Sequence, residues 1–405
     1  MDFSAVVLTE AQQAFADEVR AFLEEQLTPE VYAGLRERGE HFDEGFYVAL
    51  GAKGWLRPRW RRDDGGAELD DVCVRILETE LRKRDAPLTG DSADWVWPAV
   101  EAYGDPGLRD ELKPQVGRGT VRLSLGYTEP DGGSDIAGAK TRAVRDGDEW
   151  VINGQKIFTT GAHNNQYVFL ITRTDPTLPK HKGLTMFLVP LDTPGIEVHA
   201  LPTVGDERTN ITYYSDVRIS DRYRIGEVNN GWSVLHGPLD TEHSLDDRAS
   251  KLDDVGPGAT IVHHLAQSVE AAVRWAMEGP GGDGAPISDE VFLAGIGRLL
   301  AEMEASVCCP TAMGKVKGSD VARLGCEQLI DLVGPEAILP YGADGAIGDG
   351  AIEYAHRGVQ VSATGGGSVE VFRTMIAQLQ LGLPRPDYPG RRVFLTGDRP
   401  AAAAA

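Results

Sequence analysis

Two short stretches hold residue types from which a site could be built: "SLGYTEPDGGSD", Ser124 to Asp135, and "NGQKIFTTGA", Asn153 to Ala162. The first places an Asp-Gly-Gly turn directly behind Thr-Glu-Pro, with strand-like residues before it and an acid at its end. A phosphate cradle wants a lysine after its glycines and a helix to follow, and neither is written here. The loop serves something else. In the second stretch Phe158 and Thr160 sit two apart in a strand-like run, so both are expected on one side. An aromatic face beside a hydroxyl offers a flat ligand a plate and a hydrogen bond, although the same pair in isolation reads as plain core and surface.

The chain that must position these residues divides into three by pattern. From "LTEAQQAFADEVRAFLEEQL" the first part is helical, with Thr9 and Gln12 placed for a capping box and Phe15, Val19 and Phe22 on one face. Helical pattern continues to roughly Gly117. From Thr120 to Ile225 apolar and polar residues alternate, with hairpin signals at Asp146-Gly147 and Asn153-Gly154 and strand runs in "QYVFLITRTD", "LTMFLVPL" and "ITYYSDVRI". After "NNGWSVL" helical periodicity returns and closes with "VEVFRTMIAQLQL" before Pro384. The expected domains are 1–119 (helical), 120–228 (β) and 229–386 (helical), with 387–405 as a loose tail ending in alanines.

Composition narrows the functions available. The 405 residues, 41% hydrophobic, suffice for a large core and roughly two or three domains. Lysine and arginine total 40 against 62 aspartates and glutamates, and a net charge of -22 argues against nucleic acid or an anionic membrane as partner. Cys73, Cys308, Cys309 and Cys326 form no CxxC pair and lie near no histidine at ligand spacing, so a zinc site is not expected and the thiols fit a reducing compartment. No basic-then-apolar leader and no run of membrane-spanning length is present, which leaves the cytoplasm as the default location. "GIGRLL", Gly295 to Leu300, lacks a third glycine and follows helical pattern, so it reads as helix packing rather than a dinucleotide fingerprint; His263 and His264 stay unassigned.

Helical, β, helical is the order of the acyl-CoA dehydrogenase family, which the chain resembles from Thr9 to Arg385. The resemblance rests on T-E-P-x-x-G-S-D at Thr128 to Asp135, on N-G-x-K-x-(aromatic)-x-T at Asn153 to Thr160, and on Gly366-Gly367-Ser368 followed by Arg373, Ile376-Ala377 and "LGLPR". It implies an α+β fold: an N-terminal helical domain, a middle β-barrel or sandwich domain and a C-terminal four-helix bundle. It also implies FAD, lying against the first two segments. By resemblance Phe158 covers the flavin ring, Thr160 bonds near its N5, Tyr127 and Thr128 touch its pyrimidine end, and Leu125 lines the pocket. Gly133 and Ser134 would lie beside the acyl thioester or the CoA chain. Ser368 and Glu370 are the candidates for the ribityl or pyrophosphate part, Glu370 being otherwise a helix-surface acid. The physical demand agrees, because a flat ring, apolar on its faces and polar at its edge, needs a plate and a few fixed hydrogen bonds.

The family's chemistry takes a proton from the carbon next to the thioester and a hydride from the following carbon, so a carboxylate base is required. Many members place a glutamate where this chain has Gly366, which cannot serve. Another branch uses G-x-x-x-L-x-x-x-L-D-x-E, and Gly231, Leu235, Leu239, Asp240 and Glu242 reproduce it. If helical, Leu235, Leu239 and Glu242 share one face, where an apolar setting would raise the acid's pKa toward that of a working base. The competing reading is a solvated acid beside Asp240, Asp246 and Asp247; Pro238 disturbs the helix, and His243 replaces the family's usual arginine.

Assembly differs as well. Where homotetrameric members carry Arg-x-x-Phe-Gly, reaching a neighbour's flavin pyrophosphate, this chain has "PGGDGAPI", Pro280 to Ile287. A diphosphate without its cation lacks a strong charge-assisted contact. The expectation is a heterotetramer (α2β2) with a second chain of the family, resembling the base-bearing subunit of actinobacterial steroid-CoA dehydrogenases. That resemblance implies a bulky CoA thioester as substrate and an electron-transferring flavoprotein as acceptor. Three alternatives follow from the same fold: an acyl-CoA oxidase, shown by rapid reoxidation in air; a carrier-protein thioester dehydrogenase or monooxygenase, shown by failure with CoA thioesters; and a non-catalytic partner subunit, shown by turnover indifferent to Glu242→Gln.

Overall fold

The computed structural model describes residues 7–235, 261–278, 289–309 and 311–384. Glu242, Pro238, His243 and the Pro280 to Ile287 stretch lie outside the described residues. The N-terminal part is six α-helices: α1 (Glu10–Gln26), α2 (Pro29–Arg38), α3 (Glu44–Ala52), α4 (Asp71–Lys83), α5 (Ala93–Tyr103) and α6 (Pro106–Gly117). Their starts are written locally. The capping box at α1 forms in both directions, Gln12 N donating to Thr9 Oγ1 and Thr9 N to Gln12 Oε1. Asp43, Asp70 and Asp105 cap α3, α4 and α6 by accepting from the third backbone N–H onward. Val19 and Leu23 of α1 are buried with Phe46, Leu50 and Trp55, and Phe15 and Phe22 set their edges against Trp55.

The middle part is one mixed sheet of β1 (Leu123–Gly126), β2 (Arg142–Asp146), β3 (Glu149–Ile157), β4 (Tyr167–Arg173), β5 (Leu184–Pro190), β6 (Ile196–Pro202), β7 (Arg208–Ser220) and β8 (Arg224–Ile225). The strand order is β6-β7-β3-β2-β4-β5-β8, with β1 added parallel to β4. The β2–β3 hairpin forms at the expected place, Asp146 opposite Glu149 and Gly147 at φ 65°. Asn153-Gly154 is not a hairpin turn. Both residues lie inside β3, at a bulge against β7, where the side chain of Asn153 is bonded to the backbone and carboxylate of Asp216. Gly154, at φ 147°, passes so close to Thr141 that a Cβ would come within 2.7 Å of its Cα. Glycine is there for a strand crossing closely over its neighbour, and the turn signal is the by-product. Strand β6, which alternation in the sequence did not single out, is half exposed along its length.

The C-terminal part contains α7 (His263–Glu278), α8 (Glu290–Val307), α9 (Thr311–Val333), α10 (Ala351–Gly358) and α11 (Val369–Met375), the last running into a π-turn over Ile376–Gln380. Leu265, Leu299, Cys326, Leu329 and Ile352 form its dry centre. Gly295 of "GIGRLL" lies in α8, where a Cβ would meet Leu332 of α9 at 2.6 Å, so helix packing is its role. Among the described residues no helix is long and apolar enough to cross a membrane.

Candidate active site

Strand β1 delivers Leu125, Tyr127 and Thr128 to the end of the sheet. Leu125 and Tyr127 pack on the core shared with α5, and Tyr127 meets Phe169 edge-on at 6.2 Å. The second motif is tied to the first through the backbone: Ile157 N donates to the Thr128 carbonyl at 2.9 Å, and Lys156 Nζ to the Tyr127 carbonyl at 3.3 Å. Lys156 is wholly buried and its ammonium reaches Glu129 Oε1 at 2.8 Å. Glu129 also accepts from the N–H groups of Lys140 and Thr141, both at 2.8 Å. Burial opposes the charge on Glu129, but Lys156 and these N–H donors outweigh it and hold the carboxyl below its ordinary range. Burial pushes the Lys156 ammonium down to about 8 against the pull of Glu129, so the pair is ionised at neutral pH. The acid of the first motif and the lysine of the second are therefore a frame for the face, not reactants. A sequence signal existed: Lys156 falls on the same inward parity as Trp150 and Ile152, and a lysine there requires a buried acid.

Phe158 departs from the expectation that it shares a strand with Thr160. Strand β3 ends at Ile157; Thr159 N then bonds to Asn210 O at 3.0 Å, one residue on from the Ile157–Ile211 pair. Phe158 is the extra residue of a bulge, at φ 60°, a backbone conformation usually left to glycine. Its ring is pushed out and 56% exposed, while Thr159 is buried. Thr160 follows, half-buried, its hydroxyl paired with Thr209 at 3.0 Å and its carbonyl accepting from Ser124 Oγ at 2.9 Å. A large aromatic side chain held outward on a strained backbone is a feature that proteins keep where something binds.

The Asp-Gly-Gly turn is closed by reciprocal bonds between Glu129 and Gly132 at 3.1 and 3.0 Å. Gly133 and Ser134 stand exposed at its edge. A Cβ on Gly133 would find only Thr128 Cγ2, at 3.6 Å, so the protein's own packing does not demand glycine there; the bare backbone leaves room for a ligand. The structure thus brings Leu125, Tyr127, Thr128, Phe158 and Thr160 to one end of the sheet. Ser368 and Glu370 belong to the start of α11. Ser368 caps that helix, its Oγ accepting from Val371 N at 3.4 Å, and Glu370 is exposed in the first turn. Among the described residues no hydrogen bond or ion pair joins either to the β-domain group.

The sequence did not reveal how the face is fastened to the N-terminal helices. Asp91, 4% exposed, accepts from Tyr47, Arg57 and Leu123 N, while Asn165 Nδ2 spans Gly90 O at 2.6 Å and Ser124 Oγ at 2.8 Å. These contacts lock the loop before α5 to the start of β1 and to the Thr160 turn. An apolar plate, a neighbouring hydroxyl and a bare glycine edge on a fixed frame fit a planar heteroaromatic ring of the flavin kind.

The comparisons with known proteins agree with this architecture. The family model described as acyl-CoA dehydrogenase, N-terminal domain, matches residues 9–120, and that for the acyl-CoA dehydrogenase middle domain matches residues 124–217. Acyl-CoA dehydrogenase FadE26 of Mycobacterium tuberculosis is 30% identical over 405 aligned residues, which span 93% of this chain and 98% of the relative. Acyl-CoA dehydrogenase IpdE1 of the same organism is 29% identical, over 92% of this chain and 98% of the relative. Among solved structures, the Tcur3481-Tcur3483 steroid ACAD superposes with a TM-score of 0.82 at 29% identity, covering 95% of this chain and 100% of that one. The ChsE4-ChsE5 complex from Mycobacterium tuberculosis gives a TM-score of 0.81 at 28% identity, with 95% and 100% covered. Matched through both its helical and its β part and along nearly all of a relative's length, the chain belongs to the acyl-CoA dehydrogenase family of oxidoreductases.

Proposed function

We propose that the chain catalyses the FAD-dependent α,β-dehydrogenation of an acyl-CoA thioester with a bulky, steroid-type acyl group, giving a trans-2-enoyl-CoA. The observation that carries this reading is Phe158, an exposed ring at φ 60° beside the half-buried Thr160 hydroxyl. When bound, FAD supplies the acceptor for the β-carbon's hydride. Phe158 provides the plate on which the flavin ring lies, Thr160 the hydrogen bond at the ring's reactive edge, Tyr127 and Thr128 the contacts to its pyrimidine end, and Leu125 the apolar lining. Ser368 and Glu370 serve its ribityl or pyrophosphate part. Gly133 and Ser134 let the thioester lie against the backbone, and Glu242 takes the proton from the α-carbon.

The substrate class rests on the relatives: one superposing structure is described as a steroid ACAD. Assembly as α2β2 rests on the absence of arginine from Pro280 to Ile287 and on a superposing structure that is itself a two-chain complex. The acceptor for the electrons is, by the family resemblance, an electron-transferring flavoprotein. The test is flavin per chain, from the visible spectrum and protein concentration, on this chain alone and after co-expression with a second chain of the family. Little flavin alone and about one per pair together is expected. A full complement on the lone chain overturns the shared site.

A further inference from the structure

Where the three domains meet, a group of polar side chains takes no part in the site described so far. His41, between α2 and α3, bonds through Nε2 to Asp85 Oδ2 at 3.1 Å, just after α4. From the C-terminal side come His263 and His264 of α7, their rings 5.8 Å apart, with His264 edge-on to Tyr354 of α10 at 6.0 Å. These groups are close enough for their charges to interact: His263 and His264 both act on Asp85, and Asp85 and Glu207 act on Tyr354. Among the described residues, His41 Nδ1 and His263 Nε2 are buried and make no hydrogen bond. A ring nitrogen left so costs the full penalty of its desolvation unless something arrives to meet it.

One recess touches both this group and the site. Thr160 and His41 line it, and two acids, Glu40 and Glu207, share the lining with Arg208 and His163. Its volume of about 20 Å³ holds about one water-sized group. Burial pushes the His41 imidazole toward the neutral form, but Asp85 and Glu207 outweigh it and raise its pKa; with Nε2 turned to Asp85, Nδ1 is the ring's remaining polar atom.

We propose that His41, oriented by Asp85, is a specificity-determining residue that recognises a hydroxyl carried by the acyl group beyond its β-carbon. The inference rests on the acyl-CoA reading of the Thr160 face. Asp85 fixes one ring nitrogen, and the other addresses the substrate oxygen entering the recess.

The experiment uses the flavin-loaded assembly and acyl-CoA analogues with sulfur in place of the β-carbon, which have no β-hydride to lose. A plain straight-chain analogue is compared with analogues bearing a hydroxyl moved carbon by carbon along the chain, by isothermal titration calorimetry. One position is expected to bind about five- to tenfold tighter than the plain chain. Because His41→Leu alone would strand Asp85, both partners are replaced in His41→Leu/Asp85→Leu, which should keep flavin content and plain-chain affinity yet lose the preference. His41→Gln should restore part of it. Equal affinity at every hydroxyl position, or a preference that survives the double variant, overturns the assignment to His41 while leaving the acyl-CoA reading standing. Failure of every analogue to bind overturns both.

Discussion

Around Tyr127, Thr128, Phe158 and Thr160 the chain answers its own charges. Glu129 and Lys156 close on each other out of water, and Asp91 clasps Tyr47, Arg57 and the start of β1. The glycine loop before α11 is built differently. Gly365, Gly366 and Glu370 are exposed, Lys315 donates to the Gly365 carbonyl at 2.7 Å, and the neighbouring Arg373–Asp320 pair lies 51% and 36% exposed. The first region is organised before any ligand arrives, because Glu129, Lys156 and Asp91 find their partners at low dielectric. The second has few such closed contacts of its own. The contrast fits the proposed completion of the site by a second chain.

The contrast can be broken at several points, and the largest effect is expected at Glu242. If the base comes from this chain, Glu242→Gln lowers kcat about a thousandfold with flavin retained; unchanged turnover removes Glu242 from the mechanism. Next is the buried frame. Lys156→Met leaves Glu129 without its cation and should lower stability by about 3 kcal/mol in chemical denaturation, whereas Arg373→Ala on the exposed side should cost less than about 1 kcal/mol. Similar losses from the two would abolish the distinction.

Asp221 measures the far end of the same sheet. It accepts from Arg224 at 2.8 Å and from Trp150 Nε1 at 2.7 Å, and these bonds, against burial, hold its carboxyl down at about 2 rather than 3.8. Folded-state pKa below unfolded means stability that is present above pH 3.8 and lost as pH falls toward 2. The group should contribute about 2 kcal/mol at neutral pH, and Asp221→Asn should flatten the stability curve across that window; a curve of unchanged slope would deny the clasp. The smallest effect is the most discriminating. Phe158→Gly relieves the left-handed backbone and should raise stability of the flavin-free protein by up to about 1 kcal/mol, while loosening flavin about tenfold through loss of the plate. Loss of both together would make Phe158 an ordinary packing residue.

Much of the scaffold was legible because its signals are local. A threonine three residues ahead of a glutamine sets the start of α1, Gly147 turns a hairpin, and nearly continuous apolar runs mark β4 and β5, buried on both faces. What was hidden depends on contacts between distant residues. The bulge at Phe158 arises from Thr159 pairing with Asn210, and nothing adjacent to a phenylalanine announces φ 60°. Asn153-Gly154 carries a turn's dipeptide for another purpose, a close crossing over Thr141. The joint of His41 and Asp85 with His263 and His264 draws on three separate parts of the chain, and histidines far apart in sequence show no spacing to read.

The measurement closest to the central claim is the visible spectrum of the co-expressed assembly before and after anaerobic addition of a bulky acyl-CoA. The account predicts a flavin band that bleaches on addition, with Phe158→Gly needing added FAD to show it. An assembly that holds no flavin, or holds flavin that no acyl-CoA bleaches, would contradict it.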